Sequence, residues 1–421
     1  MVIPTNFVMS VGCIIKIKMS LKYKLKLWNY KRKFTYKKAK IFFYYLPLLA
    51  IDTIFARNPV SNLPKKGNIL LIFNNVIGDT VVCTGLLRNL VELGYEVSVS
   101  SRKQSLDLLK YNPYIKETFL YNDNKITNFF YSLLLLRKKN FDLAIEVRIA
   151  RKPSYKDLLY YALIKSPILI GCNKDMFKTF NVTIPCKLQQ VHVIEPLRRI
   201  LDIFGKNITY RDMSYDLFFS QAEEDYVASQ VSEKNFIIFN PLGSKNTHCL
   251  SPKQAQCIYD QLNILGYKIF ITGEKEKLSI LGFSESIIFQ SRNIIDIIPL
   301  VKKAKLIVSV DTSIIHIATT FNKNTIAIYP HSSKVHIPSP PQSELDLIKY
   351  NYWLYYTQME YGLYGIPVNK ISNFFSISTV FWHPNNPNSI QIVVDYDYIS
   401  KASSIDLTYR INEAIDSLEV F

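Results

Sequence analysis

The chain lacks the residue patterns that mark several common kinds of site. Its six cysteines include no CxxC pair, and its six histidines are scattered, with no HxxxH spacing that would suit a metal. No Walker A, GxGxxG or GxSxG pattern occurs, which disfavours a P-loop ATPase, a typical dinucleotide enzyme and a serine hydrolase. We therefore expect no metal and no cofactor, and reduced, mostly buried thiols of the kind found in the cytoplasm.

Long apolar segments are also missing. The best candidate for a membrane span, residues 41–56, is about four residues short of the ~20 that a spanning helix needs, and Asp52 interrupts it. Residues 1–20 lack the charged n-region and small-residue cleavage site of a signal peptide. We therefore expect neither a transmembrane helix nor a cleaved leader.

The positive charge is concentrated at one end of the chain. The net charge is +17, yet residues 1–66 alone hold 14 Lys and Arg and a single acid. Within them, residues 16–40 carry eleven Lys and Arg, no acid, and interleaved Leu, Tyr, Trp and Phe. This pattern favours binding to an anionic membrane surface. An RNA-binding arm and a solvated, mostly disordered tail are the alternatives.

The rest of the chain alternates strand-like and helix-like segments. Apolar runs such as "NILLIF" (68–73) precede segments with helical spacing, and the alternation restarts near residue 235 with "NFIIFN". We also predict a strand at 286–291 and a linker near 211–234. With 48% hydrophobic residues, 421 residues are too many for one core. The sequence predicts an α/β protein with two doubly wound, Rossmann-like domains facing across a cleft.

The predicted boundaries are an N-terminal extension at 1–66, a first domain at 67–220, a second at 221–380, and a C-terminal tail with a helix at 381–421.

One candidate for chemistry follows the first strand. Gly78 permits a tight turn close to a ligand, and Asp79 falls at the start of the next helix, whose dipole favours an ionised carboxylate. An aspartate there is equally expected as a helix cap with no chemistry.

Three further candidates lie in the second half. In "VSVDTSIIHIA" (308–318) a strand ends at Asp311, Thr312 and Ser313 open a helix able to bind phosphate, and His316 lies on its first turn. A helix cap with a core histidine explains the same residues. The loop at 240–252 offers further groups that can reach a phosphate, and an acid near 272–277 stands where a ribose hydroxyl would be held. The loop residues are Ser244, Lys245 and His248.

Taken in order, these pieces resemble glycosyltransferase family 9, the bacterial heptosyltransferases of the lipopolysaccharide inner core. The most specific parts are "IGDTVV" with "LLRNL" (77–90) and "LIVSVDTSIIHIATTFNKNTIAIYP" (306–330), supported by "NPYIKETF", "HVIEPLRRILDIFG" and "FNPLGS". The resemblance implies a GT-B fold, an inverting and metal-independent transfer, an acceptor-binding first domain and a second domain for the nucleotide sugar, expected to be ADP-heptose. It further implies a peripheral protein on the cytoplasmic face of a bacterial inner membrane, with a lipid-linked lipopolysaccharide core as acceptor and no nucleic acid as partner.

The resemblance also implies roles for single residues. Asp79 matches the general base. Asp311, Thr312, Ser313 and His316 match the diphosphate-binding motif, and Glu276 the acid that holds the ribose. Asn75, Gly78 and His192 are assigned to acceptor binding, and Ser244, Lys245 and His248 to donor binding.

The chain departs from the family at two places. Ser313 replaces a frequent glycine, and "LSP" near Cys249 replaces a tryptophan–proline signature and its preceding basic residue. Lys245 or His248 can supply the missing charge. A catalytically inactive GT-B sugar-nucleotide-binding protein at the membrane, a nucleic-acid-associated protein using the basic arm, and a GT-B sugar-nucleotide epimerase are the alternative functions.

Overall fold

The architecture comes from a computed structural model of the chain. The structure describes residues 21–73, 76–148, 153–186, 191–209, 213–331, 342–343, 346–351, 353–354 and 378–418. The helices are α1 Leu21–Ile54, α2 Ile77–Glu92, α3 Lys103–Leu108, α4 Ile126–Arg137, α5 Tyr155–Leu163, α6 Ile194–Asp202, α7 Gln221–Gln230, α8 Pro252–Ile264, α9 Lys275–Ile280, α10 Ile297–Lys303, α11 Ser313–Thr320, α12 Ser378–Phe381 and α13 Ser404–Ser417. The strands are β1 Asn68–Phe73, β2 Glu96–Ser101, β3 Glu117–Leu120, β4 Leu143–Glu146, β5 Ile168–Cys172, β6 Val182–Ile184, β7 Phe236–Asn240, β8 Lys268–Ile271, β9 Leu306–Val310, β10 Asn324–Pro330 and β11 Ser389–Val394.

The first unit is built on a six-stranded parallel sheet in the order β3-β2-β1-β4-β5-β6. Residues of β1 alternate between two cores, because successive side chains of a strand point to opposite faces. Leu71 and Phe73 pack with α2, α3 and α6, while Leu70 and Ile72 pack with α1, α4 and α5. Helices cover both faces of the sheet, as a parallel sheet requires.

The second unit is a five-stranded parallel sheet in the order β11-β10-β9-β7-β8. One face packs on α8, α9 and α13. The layer on the other face, with α10 and α11, is continuous with the α2 layer of the first unit in a single apolar core. The prediction of an α/β fold with two doubly wound parallel sheets is therefore confirmed, and both cores meet along α2 and α11.

The C-terminal end of α1 is held by specific contacts with the first unit. Tyr45 and Leu48 are buried against the sheet. The buried Asp52 carboxylate accepts hydrogen bonds from the backbone N–H (2.8 Å) and the hydroxyl (2.9 Å) of Thr179. Just past the helix, Arg57 donates to the carbonyl oxygens of Tyr161 and Thr179 at 2.9 and 2.8 Å. Among the described helices, none combines the length and the apolar character that crossing a bilayer requires.

Two expectations about local structure need revision. The segment 286–291 is not a strand: a 3-10 helix spans Glu285–Ile287, and Ile288 makes only a single bridge to Ile271. The preceding Ser284 caps this turn instead, and its hydroxyl accepts from the Ser286 N–H. The expected linker at 211–234 contains α7. The domain boundaries stay a prediction, although β11 and α13 pack with the second sheet.

Candidate active site

The starts of α2 and α11 meet where the two units come together. Gly78, in the first turn of α2, lies against the first turn of α11. A Cβ atom at Gly78 would stand 3.3 Å from His316 Cδ2 and 3.8 Å from the Cα of Ser313. Only a residue without a side chain fits this approach without displacing the histidine. The structure thus brings together two motifs separated by more than 200 residues of sequence.

Asp79 lies beside this contact, half-buried in the first turn of α2. Val76, the N-cap residue, makes no side-chain cap. The positive end of the helix dipole favours the ionised form of a carboxylate at this position. The Asp79 carboxylate also affects Cys83, one turn further along α2. Burial makes the largest contribution, followed by the charges of Asp79 and Glu146, and together they raise the pKa of the Cys83 thiol well above its usual value. An ionised carboxylate is what a general base requires.

The carboxyl ends of β7 and β9 carry a cluster of hydroxyl and amide groups. The Asn240 amide donates to the hydroxyls of Ser309 and Thr312, both at 3.0 Å, and these hydroxyls lie 3.2 Å apart. Thr312 is the N-cap residue of α11 but makes no side-chain cap. The first N–H groups of α11 therefore donate no hydrogen bond to the Thr312 side chain. Uncapped N–H groups at the N-terminus of a helix are the groups that bind phosphate.

His316 is buried at this junction in its neutral form. Burial lowers its pKa to about 4, although the Asp311 carboxylate opposes the shift. Its ring stands edge-on to Tyr215 and Trp382. Within the described residues, His316 Nδ1 and the Tyr215 hydroxyl have no hydrogen-bond partner. Buried polar atoms without partners are uncommon and often mark positions where a ligand or water completes the bonding.

The loop after β7 folds back onto itself at Gly243. A Cβ atom there would lie 2.4 Å from the Cβ of His248, so this position also needs glycine. The tight loop holds His248 Nδ1 3.3 Å from a carboxylate oxygen of Asp311. The loop is thereby tied to the end of β9, so two segments that are predicted to bind the donor lie next to each other.

The other predicted residues lie in varied surroundings. Ser244 and Lys245 are exposed at the tip of the 243–248 loop. Glu276 is exposed on α9, which follows β8 at the same edge of the second sheet. Asn75 lies outside the described residues.

His192 is committed to backbone contacts at the start of α6. Its Nδ1 accepts from the Ile194 N–H at 3.2 Å, and its Nε2 lies 3.0 Å from the carbonyl of His383. Burial, with a smaller contribution from His383, lowers the pKa of His192 to about 3. The imidazole is neutral and both nitrogens are occupied, which fixes the ring beside the junction.

A buried charge network at the ends of β4 and β5 was missed by the sequence analysis. Glu146 is fully buried and pairs with Lys174 Nζ at 2.8 Å and Arg148 Nε at 2.7 Å. Arg148 also reaches Asp157 at 3.0 Å and the Tyr161 hydroxyl. The only signal in the sequence is "LAIEVR", a carboxylate inside an apolar run. Across the described part of the chain, no three His, Cys, Asp or Glu side chains gather as metal ligands.

Comparisons with known proteins identify the family of this chain. The sequence model of the family described as "Glycosyltransferase family 9 (heptosyltransferase)" matches residues 135–353. An Escherichia coli (strain K12) protein named "Putative lipopolysaccharide heptosyltransferase 4" is 27% identical over 327 residues, which cover 75% of this chain and 88% of that protein.

Solved structures of related proteins share the fold. The family 9 glycosyltransferase of Veillonella parvula superposes with a TM-score of 0.61 at 14% identity, covering 85% of this chain and 99% of that one. The Escherichia coli ADP-heptose lps heptosyltransferase II gives 0.58 at 17% identity, with 84% and 99% covered. Because the family model matches more than half of the chain, this protein belongs to glycosyltransferase family 9, the heptosyltransferases, and is a glycosyltransferase.

Proposed function

We propose that this enzyme transfers a heptose from ADP-heptose to a lipopolysaccharide or lipooligosaccharide core, with inversion and without a metal. The family and the similar Escherichia coli proteins named for lipopolysaccharide and ADP-heptose support this choice. The observation that carries the proposal is the contact between the start of α2, with Gly78 and Asp79, and the start of α11, with Ser313 and His316. This contact supports the proposal because it brings the proposed base close to the helix end proposed to bind the diphosphate.

Asp79 is the general base of the proposed reaction. Its carboxylate accepts the proton from an acceptor hydroxyl as that oxygen attacks the anomeric carbon. The bond from this carbon to the diphosphate breaks, and the nucleoside diphosphate leaves from the opposite face with the electron pair. Attack opposite the leaving group inverts the anomeric configuration.

The developing charge on the leaving diphosphate is stabilised by the second unit. The N–H groups at the start of α11, with the Thr312 and Ser313 side chains, are the proposed phosphate donors. The loop residues Ser244, Lys245 and His248 approach from the neighbouring strand end, with His248 held by Asp311. Glu276 is the proposed partner of the ribose hydroxyls.

The acceptor side of the proposal lies in the first unit. Gly78, which directly precedes Asp79 in α2, and Asn75 are proposed acceptor residues. His192 is the third, acting through the backbone that its ring fixes. The acceptor is lipid-linked, so we propose that residues 16–40 bind an anionic membrane surface, on the cytoplasmic side of a bacterial inner membrane. The exposed Trp28, Tyr36 and Lys33 of α1 support this part.

The test is the substitution Asp79→Asn. This isosteric change removes the base but keeps the size of the side chain, so we expect transfer to fall about 10²–10⁴-fold while ADP binding is retained. Asp107→Asn on α3 is the matched control, because it makes the same chemical change at the surface of the same unit. Product formation from ADP-heptose and a purified core acceptor is the measurement.

Two results would contradict the proposal. Full activity of Asp79→Asn would show that Asp79 is not the general base. Donor binding by the wild-type protein without product from any core acceptor would favour the inactive sugar-nucleotide-binding alternative.

A further inference from the structure

Helix α4 is apolar on both of its sides. Its inner face packs into the core through Phe129, Leu133 and Leu136. Its outer face exposes Tyr131 (65%) and Leu134 (61%). The further exposed apolar residues of this face are Ile126, Phe130 and Leu135. From residue 126 to 136 the helix contains no charged residue. A surface helix of a globular protein normally carries polar residues on this side.

The outer face of α4 is bordered by cations. Arg137, Lys138 and Lys165 line one shallow depression together with Tyr131 and Leu134. Among the described residues, none of these three cations has an ion-pair partner. An exposed apolar patch with a polar rim marks an interaction surface. Here the rim is positive, so the partner must combine an apolar interior with a negative surface.

Helix α1 lies on the same side of the first sheet. Tyr45 and Leu48 of α1 and Phe129 of α4 belong to one buried cluster, with α5 contributing Tyr160. Phe129 and Tyr160 are in ring contact, with centroids 6.1 Å apart. Like α4, α1 exposes apolar side chains, namely Trp28, Phe43, Leu46 and Leu49, but it also carries many lysines. The single acid of α1, Asp52, is buried.

An anionic lipid surface fits these features better than the other partners. Two copies joined symmetrically at α4 would bring their cationic rims together, which like charges oppose. A nucleic acid would match the cations, and Phe130 and Tyr131 can stack on bases. The exposed Ile126, Leu134 and Leu135, however, offer no stacking platform. An amphipathic surface with Lys and Arg around Leu, Phe and Tyr suits the headgroup region of an anionic bilayer.

We propose that the outer face of α4 inserts into the headgroup region of anionic membranes and forms, with α1, a two-helix docking face on the first unit. This inference deepens the proposed function. It rests on that function only for the reason why the enzyme binds a membrane. The membrane contact then involves the folded acceptor-side unit itself as well as the N-terminal arm.

The experiment is sedimentation of the full chain with vesicles, without donor or acceptor. The vesicles are phosphatidylcholine with about one third phosphatidylglycerol, or phosphatidylcholine alone. We expect Tyr131→Ser/Leu134→Ser to weaken binding to the anionic vesicles at least tenfold, about 1.4 kcal/mol. The matched control is Ile264→Ser/Ile280→Ser, which removes two apolar side chains of somewhat greater exposure from the second unit. This control should bind like the wild type.

A second variant, Lys138→Glu/Lys165→Glu, leaves the apolar stripe intact and should lose binding only to the anionic vesicles. Unchanged vesicle binding by both α4 variants would overturn the inference. So would a dimeric wild type, measured by light scattering, that becomes monomeric in the serine variant while vesicle binding stays the same. The vesicle experiment measures no sugar transfer. Its result can therefore be interpreted even if the proposed enzymatic function is wrong.

Discussion

Glu146 shows how single residues hold the first unit together. Its carboxylate is fully buried at the end of β4, and Lys174, only 1% exposed, lies opposite it. The Lys174 ammonium also donates to the carbonyls of Arg148 (2.9 Å) and Cys172 (3.1 Å). A buried ion pair contributes little net stability, but removing one partner leaves an uncompensated charge.

We expect Lys174→Met to lower the free energy of unfolding by about 3–5 kcal/mol, because Glu146 would lose one of its cations while staying buried. Urea denaturation measures the change. Lys178→Met, an exposed lysine of the same loop, is the control and should change stability by less than about 0.5 kcal/mol. The double variant Glu146→Gln/Lys174→Met should recover part of the loss. A loss no larger than that of the control would contradict the role of this pair.

The buried histidines make stability depend on pH. The pKa of His316 falls from 6.5 to about 4 on folding, so the unfolded chain binds more protons than the native one between these values. Stability is therefore lost as the pH falls from 6.5 towards 4. A shift of this size corresponds to about 3 kcal/mol for His316. His192, with a pKa of about 3, acts in the same direction and over a wider range.

We expect His316→Gln to flatten this acid dependence, since glutamine does not titrate. The measurement is the free energy of unfolding of both proteins from pH 7 down to pH 4. His331→Gln at an exposed position is the control and should keep the wild-type slope. If His316→Gln follows the wild-type curve at every pH, the histidine is not buried in the neutral form.

At the scale of elements, the attachment of α1 depends on its last turns. Asp52→Ala would leave the buried Thr179 N–H and hydroxyl without their acceptor, at a cost of about 1–3 kcal/mol. We expect faster hydrogen exchange in residues 45–54 of this variant, because α1 would detach from the sheet more often. Asp52→Asn keeps the accepting oxygen and should exchange nearly as slowly as the wild type. Equal exchange in the alanine variant would show that apolar contacts alone hold the helix.

The sequence correctly predicted strands that are buried on both faces. β1 and β7 are covered on both faces, so each reads as a continuous apolar run, and both were found where expected. Parallel strands end at the same edge of a sheet, which is why the residues after β7 and β9 that are predicted to bind the donor lie close together. The segment 286–291 also reads as an apolar run, but its neighbouring serines form a cap and a turn instead.

Other features depend on tertiary contacts that a single sequence does not show. α4 carries apolar residues on its exposed face as well as on its buried face, so its sequence shows little helical period to recognise. Lys174 reads as a loop lysine, and only the fold brings it beneath Glu146. His192 likewise contacts the backbone carbonyl of His383, almost 200 positions away. The short distance between Gly78 and His316 is another tertiary contact that the sequence alone does not show.

At the scale of the whole molecule, the units share one apolar core through α2 and α11, and this places a motif of each unit at their junction. If the donor diphosphate binds the start of α11, a ligand that binds only the native state must stabilise the whole chain by mass action. At 100 times its dissociation constant the gain is about 2.7 kcal/mol. We expect ADP and ADP-heptose to raise the melting temperature, and UDP and GDP to raise it less.

The variant Ser313→Glu tests whether ADP binds at the start of α11. A carboxylate in the first turn of α11 occupies the positive helix end and repels a diphosphate, so we expect it to abolish the stabilisation by ADP. It should not unfold the helix, because an acid near the N-terminus suits the dipole. Ser286→Glu places the same charge at an exposed turn of the second unit and should leave the ADP response unchanged. Equal stabilisation of both variants by ADP would move the donor away from α11, whereas a stronger response to UDP or GDP would keep the site and change the nucleotide.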